Sequence, residues 1–327
     1  MNKNAHILRL LTASLLVTGF SYASLAQDKI TIGWTSYPPD IAVIAEAVDG
    51  AKTTAKKLGV DISFAMAAGA SAQANAVDSL LAANVNVLAI DPEDSTAVGT
   101  SIKKANELKV PVIMWVGDTV GGGETATLIA SDEDAGGYQM AKWGFEKLGG
   151  KGKIALIQGA KAHQAGQLRE NGFRRALAEY PSIELAGYGE ANWARDKANV
   201  LASDLLSRAP DIQMIFVLSD DMAAGVYSAV KAAGSQANVI GYNGSCEILN
   251  KIWNGEVTAT LHQGWRDIGS QVIKTSYDIV KGQAVDKRIT MPTTVLDKSI
   301  MEGISTGQKE ATEGLKTDVK NAIAGCK

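Results

Sequence analysis

Short runs rich in β-branched side chains alternate with longer amphipathic stretches along most of this chain. The run Ile154-Ala155-Leu156-Ile157 is apolar at every position, which is typical of a strand covered by helices on both faces. Runs of this kind give nine strand candidates, at residues 29–34, 61–66, 85–90, 112–115, 127–130, 153–158, 183–188, 214–218 and 239–242. Their alternation with amphipathic stretches predicts a repeating βα unit.

The stretches between these runs repeat their apolar side chains at helical spacing. Ile41, Ile44 and Val48 share one helix face. Ser71 precedes one helical pattern, at 72–83, and Asp220 precedes another, at 222–233, so both are interpreted as helix N-caps. The βαβα order predicts parallel sheets with right-handed crossovers, and such sheets bind ligands at the carboxyl ends of their strands.

Residues 1–26 have the layout of a secretory signal peptide. Lys3 and Arg9 lie near the start, residues 7–20 form an apolar stretch, and small side chains lead up to Ala26. The apolar stretch is too short for a stable membrane span. The alternative is an amphipathic helix of a cytosolic protein. We expect cleavage near Ala26 and a soluble protein in the periplasm.

Length and net charge indicate how many lobes the protein has and which partners it lacks. At 327 residues the chain exceeds a typical single domain, so two lobes are expected. The formal net charge is −3, and a nucleic-acid-binding protein would instead carry a basic stripe. We therefore expect no nucleic-acid partner.

Catalytic and metal-binding patterns are missing from the sequence. The three histidines, His6, His163 and His262, form no metal-binding pair, and neither a nucleophile elbow nor a phosphate-binding loop is present. The acidic runs 132–134 and 220–221 stand at predicted helix starts, where carboxylates interact with the helix dipole. The sequence therefore predicts neither an enzyme, nor a metal site, nor a cofactor.

Seven segments together resemble the ribose- and galactose-type periplasmic sugar-binding proteins. They are 49–59, 91–98, 129–137, 158–173, 219–225, 240–244 and 259–263. Each is weak alone, but their order and spacing extend over most of the chain. The resemblance implies two doubly wound, parallel-sheet α/β lobes joined by a three-segment hinge. These lobes close over a small ligand.

The resemblance also implies where the ligand contacts lie. Arg169 matches an arginine that donates to sugar oxygens, and a planar guanidinium suits vicinal hydroxyls. Trp193 matches an aromatic residue that stacks on the apolar face of a sugar ring. The other matched positions are His163, Ser219, Asn243 and Gln263. The alternatives are a surface ion pair with Glu170 for Arg169 and a bystander role for His163.

The sequence also departs from the sugar-binding pattern. The first loop is altered and contains Trp34 and Tyr37, and the familiar Asp-Arg pair after the fourth strand is replaced by a segment that contains Trp115 and Asp118. We expect these four residues beside the cleft as well. An aromatic-rich cleft with few acidic residues favours a ligand with more apolar surface than ribose.

Each lobe is predicted to contain two separate segments of the chain. The first would contain residues 27–131 and 264–291, and the second 132–263 and 292–327. By analogy with the family, Cys246 and Cys326 both belong to the second lobe, where a disulfide would fix the polar tail. Free thiols are the alternative.

The functional prediction is a monomeric receptor that delivers a sugar, sugar alcohol or related polyol to the permease subunits of an ABC importer. The alternative is a periplasmic sensor or chemoreceptor protein for a small molecule that is not a sugar.

Overall fold

The computed structural model describes residues 29–326. The predicted signal peptide lies outside the described residues. Within them the chain forms two six-stranded sheets, each covered by helices on both faces. The prediction of two doubly wound α/β lobes is confirmed.

The first sheet has six parallel strands in the order β11-β5-β4-β3-β1-β2. These strands are β1 (Thr31–Thr35), β2 (Asp61–Phe64), β3 (Val87–Ile90), β4 (Val112–Trp115), β5 (Thr127–Ser131) and β11 (Arg288–Met291). Its helices are α1 (Ala42–Leu58), α2 (Ala70–Ala82), α3 (Val98–Glu107) and α9 (Trp265–Val280). We call this unit lobe 1.

The second sheet has the order β12-β10-β9-β8-β6-β7, and only its edge strand β12 is antiparallel. The strands are β6 (Gly152–Gln158), β7 (Ile183–Glu190), β8 (Met214–Val217), β9 (Asn238–Asn243), β10 (Ala259–His262) and β12 (Thr294–Asp297). The helices are α4 (Glu133–Lys147), α5 (Gln164–Ala178), α6 (Arg195–Arg208), α7 (Asp220–Ala232), α8 (Cys246–Trp253), α10 (Lys298–Ser305) and α11 (Glu313–Ile323). We call this unit lobe 2.

Hydrophobic burial explains why the central strands form where they do. All four residues of β3, of β4 and of β8 are buried, so these strands need apolar side chains on both faces. The helices that cover them bury one face each; α1 buries Val43, Ile44 and Ala47 and ends at Gly59, which adopts the left-handed conformation that glycine tolerates best.

The chain passes between the lobes three times. The crossings lie between β5 and α4, between β10 and α9, and between β11 and β12. Three separate connections limit twisting between the lobes, while short segments can absorb the dihedral changes of a hinge.

The nine predicted strands are all present, but three short strands are missed. β10, β11 and β12 have four residues each, and β11 alternates exposed and half-buried positions at the edge of its sheet. Such strands lack a continuous apolar run. The N-cap prediction for Ser71 is wrong, because α2 begins at Ala70 after Gly69.

Lobe 2 holds the C-terminal helix by one covalent bond and an apolar contact. Cys246 and Cys326 form a disulfide with a Cα–Cα distance of 5.8 Å, so this prediction is confirmed. Leu315, Val319 and Ala322 of α11 are buried in the core of lobe 2. The tail is therefore an integral part of this lobe.

A search of the described residues for a helix long and apolar enough to cross a membrane finds none.

Removing the disulfide should destabilise the protein. The bond joins positions 80 residues apart, so its loss increases the entropy of the unfolded chain, and we expect Cys246→Ala/Cys326→Ala to lose about 2–4 kcal/mol of unfolding free energy. Urea unfolding of both proteins measures this loss. Alkylation of the unreduced, unfolded wild type followed by mass spectrometry should label neither cysteine; two labelled thiols would contradict the bond.

Candidate functional site

The carboxyl ends of both sheets face each other across a cavity. The space between the lobes has a volume of about 690 Å³ when its open mouth is included. Lobe 1 contributes residues that follow β1, β3 and β4, and lobe 2 contributes residues that follow β6, β7 and β8 and the end of β9. This is where open parallel sheets place their ligand sites.

Trp193 lies on the wall of this cavity in a strained backbone conformation. Its φ is +62°, directly after Asn192 at +51°, and a bulky residue seldom adopts this left-handed region. The indole packs on Gly159, where a Cβ atom would overlap the six-membered ring. It also makes an edge contact with His163 at 6.0 Å between ring centroids. Strain of this kind is typical of functional positions.

Arg169 forms a buried ion pair with Glu133. Both side chains are almost completely buried, and Arg169 Nε donates to Glu133 Oε2 at 2.8 Å. Burial alone would lower the pKa of Arg169, but the charge and hydrogen bond of Glu133, together with Tyr242 and Asp91, raise it. The predicted alternative partner, Glu170, instead pairs with Arg174.

Further hydrogen bonds fix the orientation of the guanidinium. Arg169 Nη1 donates to the carbonyl of Leu218 at 2.9 Å, and Nη2 donates to Gln263 Oε1 at 3.3 Å. Its Cζ atom lies 4.1 Å from the ring centroid of Tyr242 and 5.6 Å from that of Trp193. Each terminal nitrogen keeps a second N–H that has no partner among residues 29–326.

Gln263 connects these groups to Asn243. The Gln263 Nε2 donates to Glu133 Oε1 at 2.8 Å, while its Oε1 also accepts from Asn243 Nδ2 at 2.8 Å. Gln263 therefore lies behind the cavity wall, and Asn243 lies on it. We call Glu133, Arg169, Tyr242, Asn243 and Gln263 the polar network.

Ser219 caps α7 and also lines the cavity. Its hydroxyl oxygen accepts from the backbone N–H of Met222, so the N-cap prediction for Asp220 is wrong. Asp220 is the first helical residue, and its carboxylate accepts from Thr260 Oγ1 at 2.7 Å and from the Ser245 N–H at 2.6 Å. Burial raises its pKa to about 6.

His163 of lobe 2 is hydrogen bonded to Asp91 of lobe 1. His163 Nδ1 accepts from the Ala165 N–H at 3.2 Å, so the proton is assigned to Nε2, which donates to Asp91 Oδ1 at 3.3 Å. Burial raises the pKa of Asp91, and the hydrogen bond from His163 opposes the rise. This bond links the lobes across one end of the cavity.

A second cross-lobe bond lies near the disulfide. Glu46 Oε1, on α1 of lobe 1, accepts from the backbone N–H of Cys246 at the start of α8 at 3.0 Å. A helix N-terminus favours a nearby carboxylate. Burial and the neighbouring Asp318 nevertheless raise the pKa of Glu46 to about 8.

The two lobes present chemically different walls. Lobe 1 contributes mainly apolar side chains: Ile41, Ala42, Val43, Ile44, Val116 and Trp265, together with Tyr37 and Asp91. Lobe 2 contributes polar and charged ones: His163, Arg169, Arg195, Ser219, Asp221, Asn243, Ser245 and Glu247, together with Trp193. We call the first set of six the apolar wall. Arg195 donates to both Asp221 and Glu247 at the rim.

The structure brings six of the ten predicted ligand residues to the cavity and leaves four away from it. Tyr37, His163, Arg169, Trp193, Ser219 and Asn243 line it. The four residues away from the cavity are Gln263, Trp34, Trp115 and Asp118. The two tryptophans are fully buried in the core of lobe 1, 4.5 Å apart between ring centroids, because strand side chains alternate between faces. Asp118 accepts from the Thr119 N–H in its own loop.

Several residues of the cavity are missed in the sequence. Asp91 directly follows the buried strand β3, so the strand-end rule alone could identify it. Val116 follows β4 in the same way, but an apolar residue at a strand end carries no chemical signal. Glu133 is interpreted as a helix-dipole residue, whereas it provides the carboxylate of a buried ion pair.

Comparison with known proteins identifies the family. A sequence profile described as "Periplasmic binding protein domain" matches residues 32–284. The chain belongs to the periplasmic binding protein family. The predicted resemblance to the ribose- and galactose-type members is confirmed.

Named relatives of this periplasmic binding protein are import receptors and solute-binding proteins. It is 31% identical to the ribose import binding protein of Bacillus subtilis over 267 residues, which cover 81% of this chain and 87% of the relative. It is 28% identical to the xylitol-binding protein of Mycolicibacterium smegmatis over 288 residues, covering 86% and 82%. The family and these relatives are binding proteins rather than enzymes.

Solved structures give the same result for the fold. A periplasmic solute-binding protein of an ABC transporter from Actinobacillus succinogenes, with bound D-allose, matches with a TM-score of 0.79 and 25% identity. The match covers 83% of this periplasmic binding protein and 98% of that chain.

The buried ion pair predicts the behaviour of an Arg169 variant. Arg169→Ala leaves the Glu133 carboxylate buried without its cation, so we expect the unfolding free energy of the ligand-free protein to fall by about 3–5 kcal/mol. Urea unfolding measures the change. Arg174→Ala breaks an ion pair whose arginine is half exposed and should cost about 1 kcal/mol or less. Equal losses in both variants would contradict the assigned pair, and adding Glu133→Gln to Arg169→Ala should recover part of the loss.

Glu46 should make stability depend on pH. Because its pKa rises from 4.5 to about 8 on folding, the folded state binds this proton more tightly, and its contribution to stability is complete below pH 4.5 and lost as pH rises through about 8. Glu46→Gln keeps an acceptor for the Cys246 N–H but cannot titrate. We expect the decrease in melting temperature between pH 5 and pH 8.5 to be smaller in this variant than in the wild type.

The control for this experiment is Glu107→Gln, which changes an exposed carboxylate at the end of α3 and should leave the pH profile unchanged. Asp220 and Glu93, with pKa values raised to about 6 and about 7, titrate in the same window in every variant. An unchanged profile in Glu46→Gln would therefore exclude Glu46 as a contributor.

Proposed function

We propose that this chain is the solute-binding receptor of an ABC importer for a neutral sugar, sugar alcohol or related polyol. The observation that carries the proposal is the cavity between the lobes, where a half-buried indole lies beside a buried guanidinium whose orientation is fixed. An aromatic face covers the C–H side of a sugar ring, and directed N–H groups bind its hydroxyls. The relatives named above are import and sugar-binding proteins.

Each wall residue has a role in this proposal. Trp193 stacks on the ring, and the two spare N–H groups of Arg169 donate to adjacent hydroxyls. Asn243 has one N–H and one lone pair to offer, because its other sites are occupied by Gln263 and the Asp220 N–H. The Ser219 hydroxyl donates while its oxygen caps α7. Gln263 supports Arg169 and Asn243 from behind. Trp34 and Trp115 instead lie behind the wall of lobe 1, where Trp115 packs edge-on against Trp265, and Asp118 shapes its loop.

The charges around the cavity disfavour an anionic ligand. The charged side chains that line it are the carboxylates Asp91, Asp221 and Glu247 and the guanidinium groups Arg169 and Arg195. Glu133 adds a fourth carboxylate directly behind Arg169. Negative groups therefore outnumber positive ones, so an anionic ligand such as a sugar acid or a phosphate ester would be repelled.

Binding and transport are coupled through the lobes. A ligand that contacts both walls stabilises the closed arrangement by its additional affinity for that arrangement. In the proposed cycle, the permease recognises the closed receptor, which acts as a monomer in the periplasm after cleavage near Ala26. The proposed lobe boundaries, 27–131 with 264–291 and 132–263 with 292–327, follow the division of strands between the sheets.

The proposal predicts binding of neutral polyols that depends on Trp193. Pentoses, hexoses, alditols and nucleosides are tested by thermal shift and then by calorimetry; a ligand at a hundredfold excess over its Kd stabilises the native state by about 2.7 kcal/mol. Trp193→Ala should weaken binding at least about tenfold. Gly159→Ala should do the same, because its methyl group would displace the indole. Each tenfold loss corresponds to about 1.4 kcal/mol.

Gly303→Ala is the matched control, because Gly303 lies in α10 outside the cavity and its added methyl group would meet only the Lys309 side chain. Its affinity should equal that of the wild type. If only anionic or non-carbohydrate compounds stabilise the protein, the assignment to polyols is wrong.

A further inference from the structure

Val116 holds its side chain at the cavity by a strained turn. Its φ is +58°, a conformation that is a genuine outlier for a β-branched residue. The turn is closed by a hydrogen bond of 2.7 Å from the Gly117 N–H to the Trp115 carbonyl, which defines a three-residue γ-turn, a rare and strained type. Glycine would adopt this turn without strain. The chain instead carries an isopropyl group there, on the wall of the ligand cavity.

Val116 is one member of a continuous apolar surface. Its neighbours in the apolar wall come from the start of α1 and from Trp265 at the start of α9. The indole Nε1 of Trp265 is buried without a hydrogen-bond partner among the described residues, and as an N–H group it can donate but cannot accept a hydroxyl hydrogen. The polar side chains of lobe 1, Tyr37 and Asp91, stand at one end beside His163. The six residues of the apolar wall therefore offer a ligand no side-chain hydrogen-bond acceptor.

We propose that the ligand turns a deoxygenated or O-methylated edge toward the apolar wall, and that this wall selects such compounds over their fully hydroxylated counterparts. The inference rests on the proposed function and names its ligand class: a sugar or polyol with a deoxy, C-methyl or O-methyl group on the edge opposite the polar network. Lobe 2 binds the hydroxylated edge.

The proposed selectivity arises because the hydrogen of a hydroxyl group needs an acceptor. A hydroxyl pressed against the apolar wall loses its water and finds no acceptor for its hydrogen. Helix α1 begins without a side-chain cap. The N–H of Ile44 already donates to the Ile41 carbonyl, so the groups left in the first turn are the N–H donors of Ala42 and Val43, which can bind an oxygen atom but not a hydroxyl hydrogen. A methyl or methylene group meets no such penalty and contacts Val116 and the aliphatic side chains of α1.

The test compares pairs of sugars that differ by one oxygen or one methyl group. The pairs are D-galactose with D-fucose, L-mannose with L-rhamnose, D-ribose with 5-deoxy-D-ribose, and D-ribose with its methyl ribosides. Calorimetry gives Kd for each compound. We expect the deoxy or methylated member of the best-binding pair to bind at least about tenfold tighter, which is the discrimination that one group provides in an apolar pocket.

Val116→Thr tests the wall itself. Threonine keeps the branched shape and the strained turn but places a hydroxyl in the cavity, so the affinity ratio of that pair should fall toward one. Val120→Thr is the matched control, because Val120 lies in the same loop, is 62% exposed and is outside the cavity. Its ratio should equal that of the wild type.

The outcomes separate the inference from the proposed function. If the hydroxylated members bind as well as or better than their partners, the inference is overturned while the polyol receptor stands. A preference that persists unchanged in Val116→Thr also overturns it, because the wall is then not its source. If no sugar or polyol of either kind binds, the proposed function itself fails.

Discussion

The cavity of this protein depends on a charge pair that has been removed from water. Burying Arg169 and Glu133 is costly unless each is paired and its remaining hydrogen-bonding groups are satisfied. The Leu218 carbonyl, Tyr242 and Gln263 meet most of that demand and fix the guanidinium against lobe 2, while one N–H on each terminal nitrogen stays without a partner among the described residues. The network thus presents donors in one orientation before any ligand arrives, which reduces the ordering cost of binding.

Strands β1 to β9 could be predicted from sequence because they are rich in apolar and β-branched side chains, whereas β10, β11 and β12 could not, because each has only four residues and lacks a continuous apolar run. For the site, the resemblance correctly predicts that Arg169, Trp193 and Asn243 line the cavity. The expectation that Trp34 and Trp115 also lie there is wrong. Both are aromatic and close to a strand end, yet they are fully buried. The next residue after Trp115, Val116, does line the cavity, because the chain makes a turn there that no sequence pattern predicts.

The two walls divide the work of recognition. Lobe 2 carries the fixed polar groups and the indole of Trp193, so it can bind one edge of a ligand. Lobe 1 contributes mainly shape and exclusion of water, together with cross-lobe bonds that include those made by Asp91 and Glu46. Specificity in this arrangement comes partly from what the apolar wall fails to offer, since an unpaired hydroxyl is penalised more strongly than a missing contact.

The threefold crossing of the chain has a consequence for the order of assembly. Helix α9 packs on α1 and strand β11 pairs with β5, yet both are synthesised only after the sheet of lobe 2 has nearly been completed. Lobe 1 must therefore wait, with the apolar face of α1 uncovered, until the ribosome has made most of lobe 2. Cys326 follows α11, so its bond to Cys246 can form only after that helix has been made. The long interval between partners raises contact order, which slows folding, and leaves an intermediate with exposed apolar surface that is prone to aggregate.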